Sequence, residues 1–378
     1  MIPAQSAPLA DLDFPTVEEV AAAVYEINTD RPEADGTLAW SKTTLITARV
    51  TAGGAAGLGY TYASGACKPL IEGELAGAVA GQSVLDTGAA WQAMVRAVRN
   101  LGRPGLVSCA ISAVDTALWD LKARLLDLPL SGLLGQVRKA VPVYGSGGFT
   151  TYDEPVARAQ LERWTSDMKI PRVKIKIGES WGTAERRDLA RIAFARSVIG
   201  PDAELYVDAN GGYTRKQAIR MARAMAEHGV TWFEEPVTSD DLDGLREVRD
   251  QVDPDVTAGE YGYDLPYFSR MVDANAVDCL QVDVTRCGGI TEWLRAAAVA
   301  AAKGLEVSGH CAPNLHAHVA AATPNLRHLE YFHDHVRIET MLFDGALDPA
   351  GGALHPDPTR PGHGLTLKDT TAARFRTA

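Results

Sequence analysis

The chain has 378 residues, a length that suggests about two domains. Hydrophobic residues make up 46% and charged residues 22% of it, which is typical of a folded protein and excludes the disordered and fibrous classes. Acidic residues outnumber basic ones by 48 to 37, and the net charge is -11. With no basic block in the sequence, we expect neither nucleic acid nor an anionic membrane surface as a partner.

The cysteines and the amino end indicate the compartment. The five cysteines form no CxxC pair, which favours a reducing environment over a disulfide scaffold or a structural zinc site. The first basic residue is Arg31, so the positive region of a signal peptide is missing. Since no apolar run is long enough for a membrane span, we predict a cytoplasmic protein.

The first domain, residues 1–130, is predicted to be a small α+β unit. Thr43–Val50 is rich in β-branched residues and reads as a strand, and the glycine-rich stretch 52–65 follows it. Helical patterns then run from about Lys68 to Leu126. The clearest begins at Cys109, where apolar residues recur every three or four positions without glycine or proline.

The second domain, residues 131–345, is predicted to be a parallel βα barrel. Helical segments alternate there with eight short apolar strands, which begin near Val141, Arg172, Glu204, Thr231, Val256, Cys279, Leu305 and Leu329. This alternation favours a closed parallel barrel over an open sheet. The helix after the eighth strand is expected to be short or missing. Residues 346–378 are rich in proline and glycine and are expected to pack back on the first domain.

Charged residues stand at the carboxyl ends of these strands, where barrel enzymes place their active sites. Successive members lie about one βα unit apart, so they should meet at one rim of the barrel. A buried charge is costly unless a ligand or partner satisfies it, which favours a functional site over chance. The set is Lys174, Lys176, Asp208, Glu234, Glu260, Asp283, His310 and Glu330.

Three carboxylates in this set indicate a metal site. Asp208, Glu234 and Glu260 end three adjacent predicted strands, and they would repel one another strongly without a cation between them. Ligands that are all oxygen suit a hard divalent ion. We therefore predict Mg²⁺, with Mn²⁺ as the alternative, in an open site that leaves room for water and substrate.

Two further pairs indicate acid–base chemistry. Lys174 and Lys176 are two positions apart on a strand and should both face the barrel interior. Neighbouring ammonium groups and a metal are expected to lower a lysine pKa toward neutrality. Asp283 and His310 end neighbouring strands, where the carboxylate would fix the imidazole tautomer and form a second acid–base pair.

Taken together, these motifs resemble the enolase superfamily and, within it, the mandelate racemase subgroup. The matching segments cover nearly the whole chain: VKIKIG, VDANGGY, WFEEP, AGEYG, VDVTRCGGIT, SGH and HLEYF. The resemblance implies an α/β fold in which an N-terminal capping domain covers a (β/α)₇β TIM-type barrel. It also implies a homo-oligomer that acts on a small-molecule carboxylate.

The resemblance implies roles for the site residues as well. Asp208, Glu234 and Glu260 would bind Mg²⁺, while Lys176 and the His310–Asp283 pair would act on opposite faces of the substrate. Three further residues would bind or polarise the substrate: Lys174 and Asn210 by holding it, and Glu330 as an acid near the developing enolate.

The implied reaction is removal of the proton α to a carboxylate through a metal-stabilised enolate. Dehydration of an acid sugar to a 2-keto-3-deoxy acid is the favoured outcome, and racemisation or epimerisation of a 2-hydroxy acid is the alternative. A Schiff-base aldolase and a non-catalytic binding protein are remote alternatives. Specificity is expected to depend on two capping-domain segments predicted as loops, Thr29–Trp40 and Gly57–Gly65.

Other histidines and one cysteine are expected to stay outside the chemistry. His316 and His318 are predicted to open the helix after the seventh strand. His333 and His335 either reach the mouth of the barrel or are structural. Strand alternation is expected to turn Cys311 away from the barrel interior.

Overall fold

The computed structural model describes residues 14–378. Its first unit is a three-stranded antiparallel sheet in the order β1-β2-β3. The strands are β1 (Glu19–Ala34), β2 (Ala39–Ala52) and β3 (Ala55–Tyr62). Residues 1–13 of the predicted first domain lie outside the described residues.

Helices cover one face of this sheet. Three short pieces come first, the α-helical Cys67–Leu70, the π-helical Ile71–Leu75 and the α-helical Ala76–Val79. Two longer helices follow, α1 (Thr87–Ala97) and α2 (Leu106–Leu125), and then the single turn Leu130–Leu133. Most of α2 is buried, because one side packs on the sheet and the other faces the second unit.

Eight parallel strands form the second unit, and β11 pairs with β4 to close them into a barrel. All eight predicted barrel strands are present. They are β4 (Val141–Gly147), β5 (Arg172–Lys176), β6 (Glu204–Asp208), β7 (Val230–Glu234), β8 (Asp255–Ala258), β9 (Cys279–Val282), β10 (Glu306–Gly309) and β11 (Leu326–Phe332).

A helix follows every barrel strand. In chain order these are α3 (Glu154–Glu162), α4 (Glu185–Ile199), α5 (Arg215–Met225), α6 (Leu242–Arg249), α7 (Leu265–Asp273), α8 (Ile290–Ala302), α9 (Pro313–Ala321) and α10 (His333–Leu342). Minor helical turns occupy Arg163–Asp167, Glu179–Gly182 and Ala226–His228.

Several of these helices begin at side chains that satisfy free backbone N–H groups. Asp153, Asp241 and Asp264 accept hydrogen bonds from the first turns of α3, α6 and α7. Thr214 and Gln217 form a capping box at the start of α5. These caps fix where each βα loop ends and therefore how the strand ends face the mouth.

The strand register brings the predicted site residues to one level. Lys176 of β5 lies opposite Asp208 of β6, and Asp208 lies opposite Glu234 of β7. Because parallel neighbours end at the same edge, these side chains meet at the carboxyl end of the barrel.

Three local predictions differ from the structure. The helix after the last strand is present as α10, with 10 residues, although it was expected to be short or missing. Much of Thr29–Trp40 belongs to β1 and β2, and only 35–38 turns between them. The glycine-rich stretch 52–65 contains β3, whose glycines let the strand approach α2 closely.

The last part of the chain returns to the first unit. Phe343–Asp344 pairs with Thr366–Leu367, and Ala353–Leu354 pairs with β4. A short helix, Asp369–Ala372, leads to the final residues, which hydrogen-bond to β1.

Two general features accord with the composition. All five cysteines are buried and free. Within residues 14–378, no helix has both the length and the apolar character that crossing a membrane requires.

Candidate active site

Three buried carboxylates form the centre of the site. Asp208 ends β6, Glu234 ends β7 and Glu260 follows β8, and one oxygen of each lies within 4.8 Å of the others. Burial raises the pKa of Glu234 to about 7, although the ammonium of Lys174 opposes this shift. The structure therefore brings these three residues together.

Both predicted lysines point into the barrel and contact the carboxylates. The Nζ atom of Lys174 lies 2.5 Å from Glu234 Oε1 and 2.8 Å from Glu330 Oε1. The Nζ atom of Lys176 lies 2.5 Å from Asp208 Oδ2. Lys174 also lies over the ring of Tyr144 at 5.3 Å from its centroid.

The lysine pKa values were expected to be lowered by the second lysine and a bound metal, whereas the protein's own charges raise them. Burial is the largest influence on the pKa of Lys176 and lowers it, but the carboxylates of Asp208, Glu330 and Glu234 together make the net shift upward. For Lys174, burial again lowers the pKa most, but the carboxylates of Glu234, Glu330 and Asp208 together raise it. Two lysines among this many carboxylates are stabilised as cations.

The predicted histidine–aspartate pair is present on the other side of the carboxylate group. The distance from His310 Nδ1 to Asp283 Oδ2 is 2.8 Å, and His310 Nε2 lies 3.4 Å from Glu260 Oε2. Burial lowers the pKa of His310, but the carboxylates of Glu260, Glu330 and Asp283 together make the net shift upward. Asp283 is itself held by the backbone N–H and hydroxyl of Thr285, both 2.7 Å from Oδ1.

Glu330 is anchored at both carboxylate oxygens. Its Oε1 accepts a hydrogen bond from the hydroxyl of Ser146 at 2.6 Å, and its Oε2 accepts one from the backbone N–H of Cys311 at 2.9 Å. Burial would raise its pKa, but the cations of Lys174, His310 and Lys176 together hold the pKa well below its usual range. In this arrangement Glu330 is therefore ionised.

Asn210 lies beside the carboxylates in a left-handed conformation with φ 45°. Its backbone N–H donates to Asp208 Oδ1 at 2.8 Å. Within residues 14–378, its side-chain Oδ1 is buried and has no hydrogen-bond partner. That oxygen is therefore free to accept a hydrogen bond from a ligand.

The position of Cys311 differs from the prediction that it turns away from the barrel interior. Its Sγ lies 3.3 Å from His310 Nε2 and 3.3 Å from Glu330 Oε2, so it borders the site and does not turn away from it. Regular strand alternation does not apply, because β10 ends at Gly309 and Cys311 has a left-handed φ of 54°.

Two polar residues that contact the carboxylates were not predicted from the sequence. Arg286 Nη1 lies 3.3 Å from Glu260 Oε1, and its Nε lies 3.5 Å from Asp283 Oδ2. The indole Nε1 of Trp232 donates to Glu234 Oε2 at 3.0 Å. Trp232 could have been found from its position two residues before Glu234 on the same strand face; Arg286 lies on a loop without periodicity.

The remaining histidines differ in their surroundings. His316 and His318 lie in α9, as predicted, and His316 Nε2 accepts the backbone N–H of Val284 at 2.8 Å. The ring of His335 stacks on Tyr62 with centroids 3.5 Å apart. His333 Nε2 lies 3.2 Å from Asp30 Oδ2, between the two units.

The two capping-domain segments contact the loops at the carboxyl ends of the strands. The backbone N–H of Thr150, after β4, donates to Ala34 O at 2.8 Å, and that of Trp181, after β5, donates to Gly36 O at 2.9 Å. The hydroxyl of Thr61 donates to Thr285 O, after β9, at 2.7 Å. The cap therefore lies against the mouth of the barrel.

The residues of the central group fit a hard divalent cation. They offer only carboxylate oxygens, all are buried, and Glu260 Oε2 lacks a hydrogen-bond partner within the described chain. Carboxylates buried this close together repel one another unless positive charge lies between them. We find no feature of this donor set that favours a softer metal.

Comparison with known proteins places the chain in a family. The model of the mandelate racemase / muconate lactonizing enzyme N-terminal domain matches residues 20–135, and that of the enolase C-terminal domain-like family matches residues 156–371. A solved mandelate racemase/muconate lactonizing enzyme-like protein from Rubrobacter xylanophilus is 48% identical with a TM-score of 0.93, over 96% of this chain and 100% of that one.

Two relatives carry functional names. The L-talarate/galactarate dehydratase of Salmonella typhimurium is 32% identical over 83% of this chain and 77% of its own length. A solved racemase from Streptomyces coelicolor with bound magnesium is 30% identical with a TM-score of 0.89, over 96% of this chain and 100% of that one. Other curated relatives are named as dehydratases and cycloisomerases.

The barrel with its cap, the convergent strand-end residues and the two family matches agree over most of the chain. The chain is therefore an enzyme of the enolase superfamily and belongs to its mandelate racemase/muconate lactonizing enzyme family.

Proposed function

We propose that this enzyme removes the proton α to the carboxylate of an acid sugar and eliminates the β-hydroxyl, giving a 2-keto-3-deoxy acid and water. One observation carries the proposal: two acid–base groups flank the carboxylate group from opposite sides. Lys176 contacts Asp208 on the third barrel strand, whereas His310 lies 3.4 Å from Glu260 after the fifth.

The proposed cofactor is Mg²⁺, held by Asp208, Glu234 and Glu260. When bound, the ion would supply positive charge that stabilises the dianion formed on proton removal and offsets the carboxylates beside the lysines. A solved family member with bound magnesium and the all-oxygen donor set support this assignment.

The chain's own residues would move the protons. One of Lys176 and His310 removes the α-proton, and the other protonates the β-hydroxyl, which leaves as water; the resulting enol then becomes the ketone. Asp283 orients the His310 imidazole through its 2.8 Å contact. Lys174 and Asn210 would hold the substrate. Glu330, expected as an acid, would need a proton for that role; in the structure its 2.8 Å contact orients the ammonium of Lys174.

Two findings support an acid sugar as the substrate. Curated relatives are named as dehydratases of talarate/galactarate, arabinonate, rhamnonate and gluconate. The cap also places polar groups near the mouth, since Asp30 contacts His333 directly after the last barrel strand. Hydroxyl groups of a polyol chain can pair with such side chains.

Racemisation or epimerisation is the second candidate. The same pair of bases can remove the α-proton on one face and return a proton on the other, and one solved neighbour is named as a racemase. The two reactions differ in where the second proton goes. In dehydration it goes to the β-hydroxyl, and in racemisation or epimerisation it returns to the α-carbon.

Proton NMR in D₂O, with Mg²⁺ and a panel of mono- and diacid sugars and 2-hydroxy acids, tests the proposal. We expect one acid sugar to disappear as 2-keto-3-deoxy signals grow. Lys176→Ala and His310→Asn should each abolish this conversion, because each removes one proton-transfer group. The exposed residues Lys139 and His355 provide matched controls, Lys139→Ala and His355→Asn, which should keep it.

The outcomes separate the candidates. Loss of the α-proton signal without a new compound would show racemisation in place of dehydration. Activity that survives in the Lys176→Ala, His310→Asn double variant would contradict the assignment of both bases.

A further inference from the structure

A second group of potential metal ligands lies between the cap and the barrel. It consists of Asp30 and Glu33 of β1 and His333 at the start of α10, which we call the cap–barrel cluster. One ligand atom from each residue lies within 4.8 Å of the other two. None of these residues belongs to the carboxylate group of the active site.

Glu33 is the unusual member. Its side chain is fully buried, and its Oε2 accepts a hydrogen bond from the indole Nε1 of Trp40 at 2.8 Å. Its Oε1 is also buried but has no hydrogen-bond partner within residues 14–378. A buried carboxylate oxygen without a partner is costly, so this atom points to a ligand that the protein atoms do not supply.

Neighbouring charges increase the need for a cation. The carboxylates of Asp334 and Asp30 both lie near enough to repel an ionised Glu33. The cation of Arg337 is already engaged, since its Nη2 lies 2.6 Å from Asp334 Oδ1. A metal ion at the cluster would satisfy Glu33 without taking a counter-charge from another carboxylate.

The cluster can be reached from outside. Asp30 and His333 line a cavity of about 1070 Å³ that extends between α3 and α10. His333 Nε2 lies 3.3 and 3.2 Å from the two oxygens of Asp30, so both ligands already face each other. An ion entering from the cavity would meet these two residues first and Glu33 behind them.

We propose that Asp30, Glu33 and His333 form a second divalent-cation site that joins the cap to the barrel. One imidazole with two carboxylates suits Zn²⁺ or Mn²⁺ better than Mg²⁺, which prefers oxygen ligands alone. Three protein ligands would leave further positions for water. A bound ion would fasten β1 of the cap to the helix that follows the last barrel strand. This inference does not rest on the proposed reaction.

The test uses Zn²⁺ alone as the probe. Metal-free protein is dialysed against micromolar Zn²⁺, and bound zinc is measured by mass spectrometry. We expect the wild-type chain to bind one Zn²⁺ more than Asp30→Asn or His333→Ala. Glu26→Gln, which removes an exposed carboxylate from the same strand, should bind as much as wild type.

A variant of the active site separates the two sites. Glu260→Gln should lose the active-site ion yet retain the other, and Zn²⁺ should still raise its melting temperature. Adding His333→Ala to Glu260→Gln should remove that remaining shift. Asp30 and His333 are partly exposed, so their variants should fold, which circular dichroism verifies. Equal zinc content in wild type, Asp30→Asn and His333→Ala would overturn the proposal.

Discussion

At the scale of single residues, Cys311 shows how backbone conformation decides which side chains reach the site. A left-handed φ of 54° at Cys311 is followed by one of 37° at Ala312. Such conformations are costly for residues other than glycine and tend to occur at functional sites. Here they aim both the backbone N–H and the thiol of Cys311 at Glu330.

We expect Cys311→Ala to lower kcat by about fivefold, because one hydrogen bond contributes on the order of 1 kcal/mol. The loss should appear in kcat more than in the Mg²⁺ dependence, since Cys311 contacts His310 and Glu330 and not the three central carboxylates. Cys311→Ser should recover part of the rate. Steady-state kinetics on the substrate identified by NMR measure this, and an unchanged kcat for Cys311→Ala would contradict a positioning role.

The location of site residues on strands could be predicted from the sequence. The direction of side chains on loops and the combined effect of neighbouring charges on a pKa could not. Asp208 and Glu234 follow from strand register, which a repeating βα pattern specifies. Arg286 and Cys311 lie on irregular loops, where no period indicates direction. The upward shift of the lysine pKa values could not be predicted, because it depends on every carboxylate within reach, and contacts such as Lys174 to Glu330 join strands that are far apart in the sequence.

At the scale of elements, the glycines of β3 set how closely the sheet of the cap packs on α2. A Cβ atom on Gly59 would lie 2.0 Å from the carbonyl oxygen of Ala113 in α2, and one on Gly57 would lie 2.1 Å from that of Ala117. Backbone cannot move aside as a flexible side chain does, so these positions require glycine.

Gly59→Ala should therefore destabilise the protein by about 3 kcal/mol or more, the upper range for overpacking. Gly73→Ala provides the matched control, because Gly73 lies in a helical segment with nothing within 4 Å of its added Cβ. That control should be neutral or stabilising by up to about 1 kcal/mol. Thermal unfolding followed by circular dichroism compares them, and equal melting temperatures for Gly59→Ala and wild type would refute the packing argument.

The barrel strands could be predicted because short apolar segments alternate with helical ones. The cap was harder to predict. β1 is rich in alanine and glutamate and contains Pro32, all of which are depleted in strands, so only its pairing with β2 makes it a strand. Glycines are typical of loops, so those of β3 suggested one. Their actual role, to let β3 approach α2, depends on a helix far along the chain and cannot be read from the local sequence.

At the scale of the whole molecule, buried polar contacts join cap and barrel. The hydroxyl of Tyr60 in β3 donates to Glu339 Oε1 of α10 at 2.8 Å, and the backbone N–H of Asn314 in α9 lies 3.2 Å from Glu339 Oε2. Burial raises the pKa of Glu339 from 4.5 to about 7, although its hydrogen bonds oppose this shift.

This shift predicts how stability varies with pH. Between pH 4.5 and about 7, folded Glu339 keeps a proton that the unfolded chain releases, so its contribution to stability is lost as pH rises through that window. Glu339→Gln, which has the same shape and no charge, should melt increasingly above wild type from pH 5 to pH 8.

Differential scanning fluorimetry across this range measures the difference in melting temperature. The exposed Glu227, as Glu227→Gln, is the control and should show a difference that does not change with pH. A constant difference for Glu339→Gln would mean that Glu339 is ionised in the folded protein throughout the range.

The return of the chain to the cap has a consequence for synthesis. The backbone N–H of Val24 in β1 donates to Ala378 O, and that of Thr377 donates to Val24 O, both at 2.9 Å. Domains generally fold in the order in which the ribosome releases them. In this protein the sheet of the cap emerges first, but its edge strand receives these partners only after the whole barrel has been translated. The cap is therefore made before the barrel but completed only after it.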